Sequence, residues 1–171
     1  MLLVLTILSL APSILIMMTS FTRIIIVLHF LRTAIGTQTT PPNQVLIGLA
    51  LFLTFFIMWP TFQQINKEAI QPLDKGEITQ SEFFEKAEEP IREFMIKDAK
   101  IQIRDVNLFA EISGETYKDT KELSDVPFTT LVPAFILSEL RKAFIMGFLI
   151  YIPFIVIDMV CLLYTSPSPR D

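Results

Sequence analysis

Enzyme chemistry needs titratable or nucleophilic groups that can converge, and this sequence is poor in them, with one histidine (His29), one cysteine (Cys161) and five glycines. It carries no His-Glu-x-x-His pair, no Gly-x-Ser-x-Gly elbow and no glycine-rich loop to cradle phosphates. The reading is therefore of no catalytic residue, no cofactor and no metal ligand set. A single cysteine also excludes an internal disulfide. His29 lies inside the apolar run IIIVLHFL, where an ionisable group is either functional or a packed, neutral imidazole. With no carboxylate near it in sequence, the packed imidazole is favoured.

What remains is charge placed in apolar helices. Arg23 and Arg32 stand nine residues apart, about 180 degrees round a helix, so they cannot serve one site on it. They are either anchors flanking an apolar span or partners for a neighbouring subunit. In SELRKAF, residues 138–144, Glu139 and Lys142 share a helical face while Arg141 points elsewhere. Glu139 either pairs with Lys142 or reaches another chain. Asp158 has no basic residue within a turn, and a lone charge in an apolar helix requires a partner from elsewhere. Phe52, Phe55, Phe56, Trp59 and Phe62 recur at helical spacing; they and Met17-Met18 read as core and helix-interface filling rather than as a conduit. The candidate subunit-interface residues are Arg23, Arg32, Phe52, Phe55, Phe56, Glu139, Lys142 and Asp158.

The elements that position these residues follow from how charge is segregated. Residues 66–125 hold 24 of the 32 Asp, Glu, Lys and Arg side chains, whereas a soluble globule spreads them over its surface. The uncharged stretches 1–22, 33–66 and 143–157 approach or exceed the roughly 20 apolar residues that span a bilayer. With 51% hydrophobic residues and a mean hydropathy of +0.52, the chain is membrane-embedded or buried in a membrane assembly. Its net charge of -4 arises in the central block, and no basic stripe suggests nucleic acid. Residues 1–22 lack the basic start of a cleavable signal peptide, so the segment reads as a retained helix.

An all-α chain is predicted, in four parts. Residues 1–65 form an apolar helical hairpin: a helix over 2–31 kinked at Pro12, a loop over 33–44 stopped by Gly36 and Pro41-Pro42, and a helix over 45–62 capped by Asn43. Residues 66–130 form an acidic, amphipathic helical region. In it Thr79 and Glu82 offer a capping box that starts a helix near Gln80, with Phe84, Ala87, Ile91, Phe94 and Met95 on one face and Pro90 kinking or splitting the run. A short helix is expected over 105–113, ended by Gly114. Residues 131–163 form an apolar helix with Pro133 in its first turn and Pro153 at a kink. Residues 164–171, YTSPSPRD, read as a disordered or non-native tail.

MMTSFTRIIIVLHFLRTAIGTQTTPPNQVLIGLALFLTFFIMWPTF, residues 17–62, resembles the FliP family, and so do PIREFM at 90–95, NLFAEI at 107–112 and LVPAFILSELRKAFIMGFLIYIPFIVIDMV at 131–160. The likeness covers about residues 1–160 and is weakest at 113–126. It implies a non-enzymatic, channel-forming subunit of the flagellar type III export gate. Five copies would assemble with FliQ-like and FliR-like subunits in the bacterial inner membrane, multi-pass, within the flagellar basal body, and pass unfolded flagellar proteins outward. It implies too that apolar hairpins pack largely on other subunits. Arg23 and Arg32 near the short first loop argue that this loop faces the cytoplasm, and the acidic block is expected outside it, in the periplasm, although Arg141 and Lys142 after the block argue against that side. Two departures stand against the family pattern. The start lies near the family's mature region, and after IDMV the family continues into a methionine-rich closing helix where this chain reads CLLYTSPSPRD, so the pore-closing methionines are assigned to no residue here. A secondary transporter is the rival reading, for which an internal repeat and a midplane polar site are expected; a non-conducting membrane scaffold is the other. Neither accounts for residues 17–62.

Overall fold

A computed structural model describes residues 2–165, and among them the chain is helical with no strand. Helix α1 (Leu2–Met17) meets α2 (Phe21–Ala34) at an angle of 69°. The bend is a correction to the sequence reading: it falls at Met18–Ser20 rather than at Pro12, which α1 carries inside it. Thr19 supplies the physical cause. Its hydroxyl donates to the Ile16 carbonyl at 2.6 Å and accepts from the Phe21 amide at 3.3 Å, a side-chain alternative to the helical ladder on both sides of the break.

Gly36, at φ 83°, ends the α2 segment, and α3 (Asn43–Ile65) runs back beside α2. Pro42, not Asn43, occupies the cap position of α3, and no side chain caps that end; Asn43 instead accepts from Arg32. The face of α3 turned inward alternates large and small residues, with Leu46, Ala50, Thr54, Met58 and Thr61 buried. Thr54 satisfies its buried hydroxyl on the Ala50 carbonyl at 2.7 Å. Most of the aromatic stripe is not core within this chain: Phe52, Phe55 and Phe56 are 67%, 55% and 74% exposed, whereas Phe62 packs against the core. Ala50, Thr54 and Thr61 share the buried face with Leu46 and Met58, while Phe52, Phe55 and Phe56 are left on the other side.

Beyond α3 a π-helical turn (Asn66–Ile70) and α4 (Gln71–Asp74) lead to α5 (Gln80–Glu93). The capping box at the start of α5 forms as the sequence predicts. Thr79 N–H donates to Glu82 Oε2 at 2.7 Å, and Glu82 N–H donates to Thr79 Oγ1 at 3.4 Å. The hydrogen bonds from Thr79 hold the Glu82 carboxyl below its ordinary pKa. Phe84 is a correction, being 70% exposed, because the inward face is set one residue earlier by Phe83, Ala87 and Pro90. Pro90 stays inside the helix, and the ladder widens into a π-helical turn (Phe94–Asp98) one turn later.

The short helix α6 (Ile103–Ala110) begins two residues before the predicted start and ends, through a 3-10 turn, at Gly114 with φ 77°. A second 3-10 turn (Thr120–Asp125) precedes α7 (Phe128–Thr165). Tyr164 and Thr165, expected in the tail, belong to α7; the rest of that expected tail, 166–171, lies outside the described residues. Helix α7 packs along α2 in parallel: Arg23 meets Glu139, Phe30 meets Phe144 and Gly147, and Thr33 lies beside Tyr151. The apolar core joins Met58, Phe94, Met95, Val106, Leu123, Val126 and Phe135, so the central region is anchored on the first half of α7. By length and composition two helical stretches can cross a membrane, Asn43–Asp74 and Phe128–Thr165, or three if the bent pair α1–α2 is one span.

Candidate functional site: a buried charge cluster

Where the acidic layer meets α2 and α7, five charged side chains gather. Glu139, fully buried, takes a two-pronged guanidinium from Arg23: Nε donates to Oε2 at 2.8 Å and Nη2 donates to Oε1. Such paired N–H···O bonds fix orientation as well as charge. Lys142 Nζ stands 3.5 Å from Oε1 of the same carboxylate. Arg141 Nη1 abuts Oδ1 of Asp105 as an ion pair, off the line of a hydrogen bond, and Asp105 is fully buried in the first turn of α6. A carboxylate there also faces the positive end of the helix dipole.

Three cations against two carboxylates leave one positive charge in excess, and backbone carbonyls meet it. Lys142 Nζ donates to the carbonyls of Ala99 at 2.5 Å and Lys100 at 2.9 Å, and Arg23 Nη2 reaches Ala99 O at 3.5 Å. Lys100 is aimed there by a left-handed backbone, φ 53°, a conformation that costs a side-chain-bearing residue about 1–2 kcal/mol. The cluster thus joins four pieces of chain: α2 through Arg23, the bend at 99–100, α6 through Asp105, and α7 through Glu139, Arg141 and Lys142. Its chemistry is structural. Its carboxylates are engaged by cations of the same chain, and what it does is fix the height and rotation of the acidic layer against the apolar helices.

The sequence offered two partners for Glu139, Lys142 on its own helix or another chain. The structure adds a third, Arg23, 116 residues away and in the same chain. Arg32 lies at the other end of α2, donating to Pro41 O at 3.2 Å and Asn43 Oδ1 at 2.6 Å. Its Nη2 is 3.1 Å from His29 Nδ1, and since a guanidinium can only donate, Nδ1 is the acceptor in this contact. Phe52, Phe55 and Phe56 lie on the outward face of α3, and Asp158 is exposed on α7 with no ion-pair partner among the described residues. Asp105 and Arg141 escaped the sequence reading as a pair. The one signal for it was that Arg141 faces away from Glu139 and so needed a separate acid.

A cleft of about 370 Å³ opens where α1 turns away from α2, walled by Met18, Phe21, Leu51, Phe55, Met58 and Ile91 among others. Its only side-chain polar groups are the hydroxyls of Thr19 and Thr54, both already bonded to backbone carbonyls.

The sequence model described as "FliP family" matches residues 4–164. Among curated proteins, the flagellar biosynthetic protein FliP of Bacillus subtilis (strain 168) is 57% identical over 159 residues, covering 93% of this chain and 70% of that protein. Its counterpart from Aquifex aeolicus (strain VF5) is 50% identical, covering 91% of this chain and 64% of that protein. The protein of that name from Borreliella burgdorferi is 47% identical, covering 93% and 62%. The chain therefore spans about two thirds of the length of these relatives.

Proposed function

The chain belongs to the FliP family, and on that premise we propose that it is a structural, channel-forming subunit of the flagellar type III protein export gate, passing unfolded flagellar proteins across the bacterial inner membrane. The observation that carries the reading is the family match over residues 4–164. The fold supports it. Two stretches are long and apolar enough to span a bilayer, and the apolar side chains of α1, the outer face of α3 and the second half of α7 find no cover within the chain, as expected of helices that pack on other subunits. The charge cluster holds the acidic layer in one position against them.

In this reading the protein is not an enzyme. It works as several copies, five by family likeness, with FliQ-like and FliR-like subunits, as a multi-pass inner-membrane component of the flagellar basal body. The acidic layer lies on the periplasmic side. The test is complementation: the chain, joined to the remaining length of a relative, is expressed in a bacterium lacking its own copy, and export of flagellar hook protein to the medium is measured. Export restored by the wild type and absent with empty vector is expected. Stable, membrane-inserted protein without export would overturn the proposal.

A further inference from the structure

The apolar elements α2 and α7 carry six charges, and the cluster above uses four of them: Arg23, Glu139, Arg141 and Lys142. The two that remain have opposite sign, Arg32 and Asp158, and neither has an ion-pair partner among the described residues. Arg32 gives Nη1 to Pro41 and Asn43 and one Nη2 proton to His29. That leaves its Nε–H and one Nη2–H, the donor groups with which Arg23 grips Glu139. No acid of the first 67 residues can meet it, because the first one in the sequence is Glu68.

Asp158 is exposed among Ile155, Val156, Ile157, Met159 and Val160, themselves exposed. It cannot serve Arg32 of its own chain. Thr33 and His29 lie beside Tyr151, so Asp158, seven residues further along α7, stands about 10 Å beyond them along the axis. An unpaired charge on an apolar face of this kind calls for an outside partner. The surface is also larger than a lone chain requires. The protein exposes 11980 Å², against roughly 8,600 Å² for a compact monomer of its mass, an excess of the order that obligate interfaces bury.

We propose that Arg32 of one copy pairs with Asp158 of a second copy of this chain, the two being complementary charges on separate patches of one surface. This rests on the multi-copy reading given above. Because the patches differ, the contact is heterologous, so each copy offers one half to either neighbour and the series closes as a ring or runs on as a filament.

The experiment is made in membranes, on the full chain with Cys161→Ser as parent. Arg32→Cys and Asp158→Cys are introduced singly and together, then treated with a short bis-maleimide linker. The double variant is expected to give a ladder of dimers and higher multiples that neither single variant gives. In parallel, Arg32→Glu and Asp158→Arg each lower the oligomer fraction about tenfold, and the double reversal recovers it, which misfolding could not do. No ladder, or single reversals that oligomerise like the parent, would overturn the pair. So would linkage of Arg32→Cys solely to a different protein or to lipid. Intact export with no ladder would refute this contact and leave the export reading standing; a ladder in a parent that does not export would do the reverse.

Discussion

Gly147→Ala is the most sensitive probe of how α2 and α7 meet. A Cβ built on Gly147 lies 2.3 Å from Phe30 Cδ2, 2.5 Å from Cγ and 3.0 Å from Cβ. The ring could swing away, but Phe30 Cβ moves only with the α2 backbone, so the helices must separate or α2 must rotate. Replacing glycine by alanine inside a helix ordinarily gains about 1 kcal/mol, while overpacking a tight contact costs about 1–3 kcal/mol. Here the backbone-linked contact puts overpacking in the upper part of that range, about 2–3 kcal/mol, for a net loss of about 1–2 kcal/mol. Any shift also moves Phe144 off its edge-on contact with Phe30, at 5.8 Å between centroids, and disturbs Arg23 two turns earlier. Thermal unfolding in detergent measures the loss. Phe30→Ala alone should destabilise, and adding Gly147→Ala to it should cost clearly less than Gly147→Ala costs in the wild type, because the ring contacts at 2.3 and 2.5 Å are gone and only the Cβ contact at 3.0 Å remains. Gly147→Ala at or above wild-type stability would refute this account of the α2–α7 contact.

The cluster yields its own prediction: Arg23→Met and Glu139→Gln each lower stability by about 3–5 kcal/mol, and the double variant loses clearly less than the two together. Additive losses in a double-mutant cycle would contradict a direct pair. Lys100→Gly relaxes the left-handed backbone and is expected to leave stability within about 1 kcal/mol of wild type, whereas Lys100→Val lowers it; equal effects would contradict the strained bend. Thr79→Ala removes one half of the capping box and is expected to weaken the start of α5 by about 1 kcal/mol, read as faster amide exchange over residues 80–83. Acid acts on the same cap. The Glu82 pKa is depressed in the fold, so its contribution is complete above the ordinary carboxylate pKa of about 4.3 and is lost as pH falls through the lower folded value. Exchange at those amides should therefore rise in acid, and should do so much less in Glu82→Gln.

The elements most legible in the sequence were those whose signals are local. Thr79 and Glu82 make their capping box between themselves, and Gly36 and Gly114 take positive φ where a helix stops. The bend at Thr19 was missed because proline is the louder breaker, yet α1 runs on through Pro12 and ends only where a threonine hydroxyl takes up the backbone. Placing Phe84 inward failed because two adjacent phenylalanines satisfy the helical period almost equally, and only Pro90 and Phe94, buried a few turns on, decide between them. The candidate site was half legible. Buried charge in SELRKAF was visible as chemistry that must be answered, but its answer comes from Arg23 and Asp105, 116 and 36 residues away from Glu139 and Arg141. Helical periodicity cannot register a partner at that distance. The carbonyls of Ala99 and Lys100 carry no side-chain signal at all.

The proposal that this chain lines a route for unfolded protein is tested most directly by catching such a protein in transit. A flagellar export substrate fused to a domain that will not unfold jams the pathway. Photo-reactive residues are placed one at a time at every exposed position of α1, α3 and α7, so that faces packed on other subunits and any face turned to the route are both sampled. The account expects light-dependent adducts between the jammed substrate and at least one of these helix faces, and none when the substrate lacks its export signal. A demonstrably jammed substrate that forms no adduct at any position would contradict a channel-forming role.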